Sequence, residues 1–157
     1  MWDCGATPTT VVERGVVVPD DTRYSGHLER GITVVNGLAQ RGRRLGLDVF
    51  LQVREQVPLD LVGMRSEEIG GLGEVPPPDL ARAMAAYRFY FRPVRYTSLG
   101  LSLCEAMTVG VPVVGLATTE LPTVVDDGVN GFTSTDPQRL VEAMRALLAD
   151  PGLARRL

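Results

Sequence analysis

Arg95-Tyr-Thr97-Ser98-Leu99-Gly100-Leu101-Ser-Leu-Cys104-Glu105-Ala-Met-Thr-Val-Gly110-Val-Pro-Val-Val-Gly115 carries the sequence from a loop, through an apolar helix and a glycine stop, into a buried strand. Ser98 is suited to cap the helix, and Gly110 to end it in the left-handed conformation. Val111 to Val114 is a short apolar run with a proline near the strand's start. One carboxylate, Glu105, stands among Leu101, Leu103, Cys104, Ala106, Met107 and Val109. A charge in such surroundings needs a partner, because burying it unpaired costs several kcal/mol. A bound ligand is one candidate.

Upstream, Thr9 to Val12 and Val16 to Val18 are β-branched runs ended by Pro19-Asp20-Asp21, and read as an entering strand with a turn behind it. Ile32 to Asn36 is the next strand, followed by a loop carrying Arg41, Arg43 and Arg44 and a helical pattern from about Leu47 to Gln56. Pro58 to Gly63 is a third strand. The glycine-rich Gly70 to Glu74 and the prolines Pro76 to Pro78 lead into a helix near Asp79, and Phe89 to Arg92 is a fourth strand. Downstream, the turn from Asp126 to Gly131 precedes Phe132-Thr133. Asp136-Pro137 then opens a helix with Leu140, Met144, Leu147 and Leu148 on one face, and Asp150-Pro151-Gly152 stops it.

Short apolar runs alternating with amphipathic helices indicate an α/β fold, a doubly wound parallel sheet in a single Rossmann-like domain over residues 1–157. Ligands of such sheets bind beyond the carboxyl ends of the strands. The segments there are one arginine-rich loop, one glycine-rich loop, the helix start at Thr97 to Leu101, and the hydroxyl-rich Ala117 to Glu120. Arginine forks and helix-terminal amides favour phosphate oxygens, so the combination suggests a phosphorylated ligand such as a nucleotide.

Composition narrows the chemistry. With 157 residues and 45% hydrophobic content, the chain suffices for one well-buried domain. A net charge of -3 argues against a nucleic-acid partner. The two cysteines, Cys4 and Cys104, fit a reducing, cytoplasmic setting better than a disulfide framework, and no apolar run is long enough for a transmembrane segment. All sixteen basic residues are arginines, which excludes lysine chemistry. The single histidine, His27, excludes a multi-histidine metal site and reads as a partly exposed loop residue. Cys104 reads as a small core residue. Gly71-Leu72-Gly73 is a fragment of a dinucleotide fingerprint, Asp126-Asp127 is a turn rather than a metal site, and Glu120 reads as surface charge, with a cap or a ligand contact as the alternative.

Gly-Leu-Ser-Leu-Cys-Glu-Ala-Met-x-x-Gly-Val-Pro-Val-Val from Gly100, then Glu120, then Asp127-Gly128-Val129-Asn130-Gly131-Phe132, resembles the C-terminal donor-binding domain of GT-B glycosyltransferases, in particular the retaining family-four group. The likeness extends from about Val16 to Pro151. It implies the C-terminal half of a GT-B fold and a retaining, metal-independent transfer of a sugar from a UDP- or GDP-sugar to a sugar or glycan acceptor, with no cofactor. By that resemblance Glu105 is the second glutamate of a Glu-x7-Glu motif and accepts from the ribose hydroxyls. Backbone amides near Ser98, Leu99, Gly100 and Leu101 face the donor sugar and diphosphate, and Leu72, Gly73 and Val75 flank the base.

The sequence departs from the family pattern in three places. Thr97 stands where the first motif glutamate is expected. Asn36-Gly37-Leu38 stands where phosphate-contacting basic residues are expected, leaving Arg41, Arg43 or Arg44 to substitute. The N-terminal acceptor domain of such enzymes is not in the chain, so the expectation is inactivity without it. The alternatives are a non-catalytic nucleotide-sugar binding module, half of a split enzyme working with a separate N-terminal chain, and a nucleotide-sugar epimerase.

Overall fold

The computed structural model describes residue 10 and residues 15–157. The elements are β1 (Leu28–Val34), α1 (Leu38–Arg41), α2 (Leu47–Arg54), β2 (Leu59–Val62), α3 (Pro77–Ala86), β3 (Tyr87–Arg92), α4 (Leu101–Val109), β4 (Val113–Leu116), β5 (Gly131–Ser134), α5 (Pro137–Ala149) and α6 (Pro151–Arg156), with 3-10 turns at Gly42–Leu45, Ser66–Ile69 and Leu121–Thr123. The five strands among the described residues are all parallel, in the order β2-β1-β3-β4-β5. Helices cover both faces, so the doubly wound α/β expectation holds. No helix among the described residues is long and apolar enough to cross a membrane.

The two faces have separate cores. On one, Phe50 and Val53 of α2 and Leu140, Val141 and Met144 of α5 pack on Leu61, Phe89, Phe91 and Val114. On the other, Met84 of α3 and Leu103 and Ala106 of α4 pack on Ile32, Tyr90 and Val113. The alternation of Phe89, Tyr90 and Phe91 between the two cores follows from the two-residue repeat of a strand. β3, the middle strand of the sheet, is buried at every position, including Arg88 and Arg92. A buried guanidinium has to be satisfied by hydrogen-bond acceptors or an anion. Arg88 meets this with three carbonyls: Nε donates to Gly26 (2.8 Å), and Nη1 to Leu147 (3.2 Å) and Leu148 (3.1 Å) in the last turn of α5.

Several expectations are corrected. Val16 to Val18 forms no strand, and Val17 is 96% exposed: β-branching favours extended backbone but does not supply a sheet partner. Of Thr9 to Val12 only Thr10 lies among the described residues, outside any element, and Cys4 lies outside them altogether. The fifth strand is instead Gly131–Ser134, paired to β4 with Phe132 opposite Val114. The stretch after β1, expected as a loop, is a short helix and a 3-10 turn, because Leu38 and Leu45 are buried and pull the backbone onto the core. Ser98 does not cap α4; the N-cap is Gly100, with no side-chain cap, and Ser98 is exposed. Asp150-Pro151-Gly152 ends α5 and also starts α6, with Asp150 Oδ1 accepting from Gly152 N at 2.8 Å. Gly110 ends α4 at φ 87°, and Asp136 caps α5 by accepting from Gln138 N, as their positions suggest.

Gly46, at φ 81°, ends the turn Gly42–Leu45 and begins α2. A Cβ there would lie 1.9 Å from the Pro93 carbonyl oxygen. This close approach lets the Arg44 carbonyl accept from Arg95 N (3.3 Å) and Tyr96 N (3.2 Å), which ties the segment after β3 to the segment after β1. Gly46→Ala combines left-handed strain with a backbone clash and is expected to cost at least about 2 kcal/mol in urea unfolding. A loss near zero would mean that this crossing is not rigid.

Candidate functional site

A strand order of β2-β1-β3-β4-β5 places a crevice where the connections after β1 and β3 diverge to opposite sides of the sheet. A cleft of about 560 Å³ lies there. Val34, Val35 and Asn36 line it from the end of β1, with Arg41 and Leu45 from the turns that follow, and Val62, Gly63 and Met64 from the end of β2. Glu74, Val75, Pro77 and Leu80 close one side, and Arg92, Val94, Thr97 and Gly100 continue from β3 into Leu101, Ser102 and Glu105 of α4. The volume falls in the range of small-molecule sites, about 300–1,000 Å³.

Residues 93–100 have no regular structure but are held from three directions. From beneath, Arg92 Nη2 donates to the Ser98 carbonyl at 2.7 Å. From the segment after β4, Thr118 Oγ1 donates to Val94 O (3.0 Å), Thr119 Oγ1 to Thr97 O (2.9 Å), and the Glu120 carboxylate accepts from Leu99 N (2.9 Å). From the segment after β1, the Arg44 carbonyl holds Arg95 and Tyr96. Glu120, read from sequence as surface charge, is therefore a brace. Thr119 sits at φ 51°, a strain of about 1–3 kcal/mol for a non-glycine residue, tolerated where several bonds overdetermine the backbone. The N-terminus of α4 is thereby fixed at the cleft with no side chain occupying it.

Six of the residues singled out from sequence come together on the cleft wall: Arg41, Val75, Thr97, Gly100, Leu101 and Glu105. Six do not line it. Arg43 is exposed beside Asp48 at 3.9 Å, and Arg44 is exposed and contributes its carbonyl. Ser98 and Leu99 serve through their backbones, the former accepting from Arg92 and the latter donating to Glu120. Leu72 is exposed, and Gly73 is buried with its carbonyl accepting from Gly63 N at 2.9 Å. Asn36, Met64 and Glu74 line the cleft from within the strand-following segments Asn36 to Arg44 and Gly63 to Glu74, where the sequence placed ligand binding; Arg92 and Ser102 were missed. Only Arg92 left a signal, as a charge ending the apolar run Phe89 to Arg92.

Glu105 is half-buried one turn into α4, and no hydrogen bond or ion pair reaches its carboxylate among the described residues. Burial pushes its carboxyl above the ordinary glutamate value. The Thr97 hydroxyl donates to the Ser98 carbonyl at 2.8 Å, so it faces the cleft as an acceptor. Tyr90, fully buried beneath α4, has its hydroxyl 3.0 Å from Ser102 Oγ, and burial raises it above the usual phenol range. No group of three or more His, Cys, Asp or Glu side chains gathers as a metal site among the described residues. His27 is exposed, bonded to Ser25 Oγ at 2.8 Å, and Cys104 is a half-buried free thiol.

Residues 32–150 match a protein family described as Glycosyl transferases group 1. The chain is similar to the O-antigen chain mannosyltransferase B of Escherichia coli, with 46% identity over 80 residues, 51% of this chain and 19% of that protein. It is also similar to the D-inositol 3-phosphate glycosyltransferase 1 of Catenulispora acidiphila, 40% identical over 79 residues, 49% of this chain and again 19% of the relative. Both matched stretches thus span about a fifth of the relatives' length. Among solved structures, a TarM variant from S. aureus in complex with Fondaparinux, alpha-GlcNAc-glycerol and UDP superposes with a TM-score of 0.69 at 15% identity, over 90% of this chain and 32% of that one. The sucrose-phosphate synthase of Thermosynechococcus elongatus gives 0.68 at 25% identity, over 88% and 39%. The lipopolysaccharide outer core galactosyltransferase WaaB gives 0.67 at 12%, over 89% and 46%.

The raised carboxyl of Glu105 has a definite sign in stability. Between the ordinary glutamate value and the raised one, the folded chain binds more protons than the unfolded chain, so this group's contribution falls as pH rises through that window. Glu105→Gln removes that contribution. The variant's stability relative to the parent is expected to increase as pH rises above the ordinary glutamate value in paired urea unfolding series. A difference independent of pH would show that Glu105 is not desolvated.

Proposed function

The chain belongs to the Glycosyl transferases group 1 family, and from that premise we propose that its cleft is the donor site of a sugar transferase, binding a nucleoside-diphosphate sugar. The observation that carries this reading is Glu105, a half-buried carboxylate on the cleft wall with no partner among the described residues. Two hydroxyls of a ribose are a natural complement: both donate, and an ionised carboxylate accepts them with charge-assisted bonds. Val75 and Leu80 offer apolar surface for the base. The diphosphate lies toward the uncapped start of α4 and toward Arg41, where amides and a guanidinium favour negative charge.

The donor sugar then falls near Thr97 and Gly100. Thr97 offers an oxygen without charge, so it discriminates among sugar hydroxyls less strongly than a carboxylate in its place. Transfer proceeds with retention, without metal and without a protein nucleophile, by positioning the donor and supporting the leaving diphosphate electrostatically. The acceptor approaches from the open side of the cleft, held by protein outside these residues. The glycosyltransferase relatives and the UDP-bound structural neighbour support the reading. Thr97, with its hydroxyl proton already donated to Ser98, favours as a second reading a module that binds nucleotide sugars without turning them over.

Calorimetric titration with UDP and with GDP, without added metal, tests the donor site. One of the two is expected to bind saturably, and Glu105→Ala to weaken it about tenfold to a hundredfold, the loss of a charge-assisted hydrogen bond worth roughly 1.5–3 kcal/mol. Unchanged affinity in the variant would remove Glu105 from the site. Binding of neither nucleotide by the folded chain would remove the donor reading itself.

A further inference from the structure

Two arginines end the buried strand β3, and their surroundings differ in one decisive respect. Arg88 gives its guanidinium to three carbonyls and has the Glu29 carboxylate at 3.9 Å. Arg92 is equally buried, 4% exposed, yet among the described residues no carboxylate forms an ion pair with it. Its Nη2 holds the Ser98 carbonyl, the neighbouring Tyr90 hydroxyl is a further polar contact, and the side chain lines the cleft. A buried cation without a counter-charge is an expensive arrangement, and the unfilled side of this one opens onto a cavity.

The same spot receives the start of α4, a nine-residue helix whose N-cap is Gly100 and which carries no acidic residue in its first turn. A Cβ on Gly100 would lie 3.5 Å from Arg92 Nη1, so the missing side chain keeps open the space beside the guanidinium. Gly100 has φ −79°, an ordinary backbone for any residue; what its lack of a side chain provides here is room, not conformation. The cleft thus presents a carboxylate without a partner among the described residues, Glu105, and a guanidinium without a counter-charge, Arg92, with helix amides beside the latter. A ligand bearing a diol at one end and a phosphate at the other complements both.

We propose that Arg92 binds the terminal phosphate of a nucleoside diphosphate, seating it between its guanidinium and the amino end of α4 through the opening left by Gly100. This rests on the donor-site reading and deepens it by adding a phosphate-binding residue from the floor of the sheet, on a strand rather than in the loop after β1. Arg41 then serves the outer, solvent-facing side of the diphosphate, where screening weakens it.

The test compares affinities of the 157-residue chain for UDP and UMP, and for GDP and GMP, by calorimetry. In the parent the diphosphate of the preferred base binds more tightly than its monophosphate. In Arg92→Met that advantage is expected to shrink about tenfold to a hundredfold, with monophosphate affinity changed less than about threefold. A purely structural role for Arg92 lowers both affinities together and leaves their ratio intact, which would overturn the proposal. Gly100→Ala leaves the backbone and the charge in place but fills the opening, so it is expected to reduce the same ratio; it decides the matter should Arg92→Met fail to fold. A parent that binds diphosphate and monophosphate equally overturns the inference while leaving the donor site standing. A parent that binds none of the four overturns both.

Discussion

The structure depends on β3 being buried on both faces along its whole length. A strand in that position requires a hydrogen-bonded neighbour on each edge and a helical layer above and below, which β1, β4 and the two helix pairs α2 with α5 and α3 with α4 supply. It also requires that any charge on the strand be dealt with at the ends, where carbonyls or solvent are within reach. Arg88 solves this at the amino end by gripping the last turn of α5, where free carbonyls and the negative end of the helix dipole complement it. Arg92 arises from the same constraint at the other end, where the acceptors are fewer and the cleft begins.

The cleft is a consequence of topology before it is one of side chains. Parallel strands aligned by register bring all their carboxyl ends to one edge, and the change of direction between the connections after β1 and β3 leaves a gap that no helix fills. What turns the gap into a site is the rigidity of its rim. Residues 93–100 take no regular form, yet Arg92, Thr118, Thr119, Glu120 and the Arg44 carbonyl leave them little freedom, and the amino end of α4 is presented in a fixed place. A binding site assembled in advance loses less entropy when its ligand arrives.

Much of the fold was legible in the sequence because its signals are local. The helix stop at Gly110, the cap at Asp136 and the apolar runs of β2, β3 and β4 each depend on a few adjacent residues. The readings that failed depended on partners far along the chain. Val16 to Val18 has the composition of a strand and no strand to pair with among the described residues, whereas Gly131–Ser134 has a weak pattern and a complete partner in β4. Ser98 has the right chemistry for a cap, but its carbonyl is committed to Arg92 and the helix is capped two residues later, at Gly100.

The site divides along the same line. Gly100, Leu101 and Glu105 reach the cleft together because they are the cap and first turns of one helix, and Thr97 stands only three residues before that cap, so the sequence by itself determined their grouping. The arginines could not be sorted that way. Arg41, Arg43 and Arg44 are near neighbours of the same type, but the burial of Leu38 and Leu45 rotates the backbone so that only Arg41 reaches the cleft. Arg92 arrives from another strand, because pairing with β1 and β4 sets how far β3 extends toward the shared edge. Which charges meet a ligand was therefore decided by tertiary structure alone: strand register and core packing are sums over distant contacts, and no local pattern encodes them.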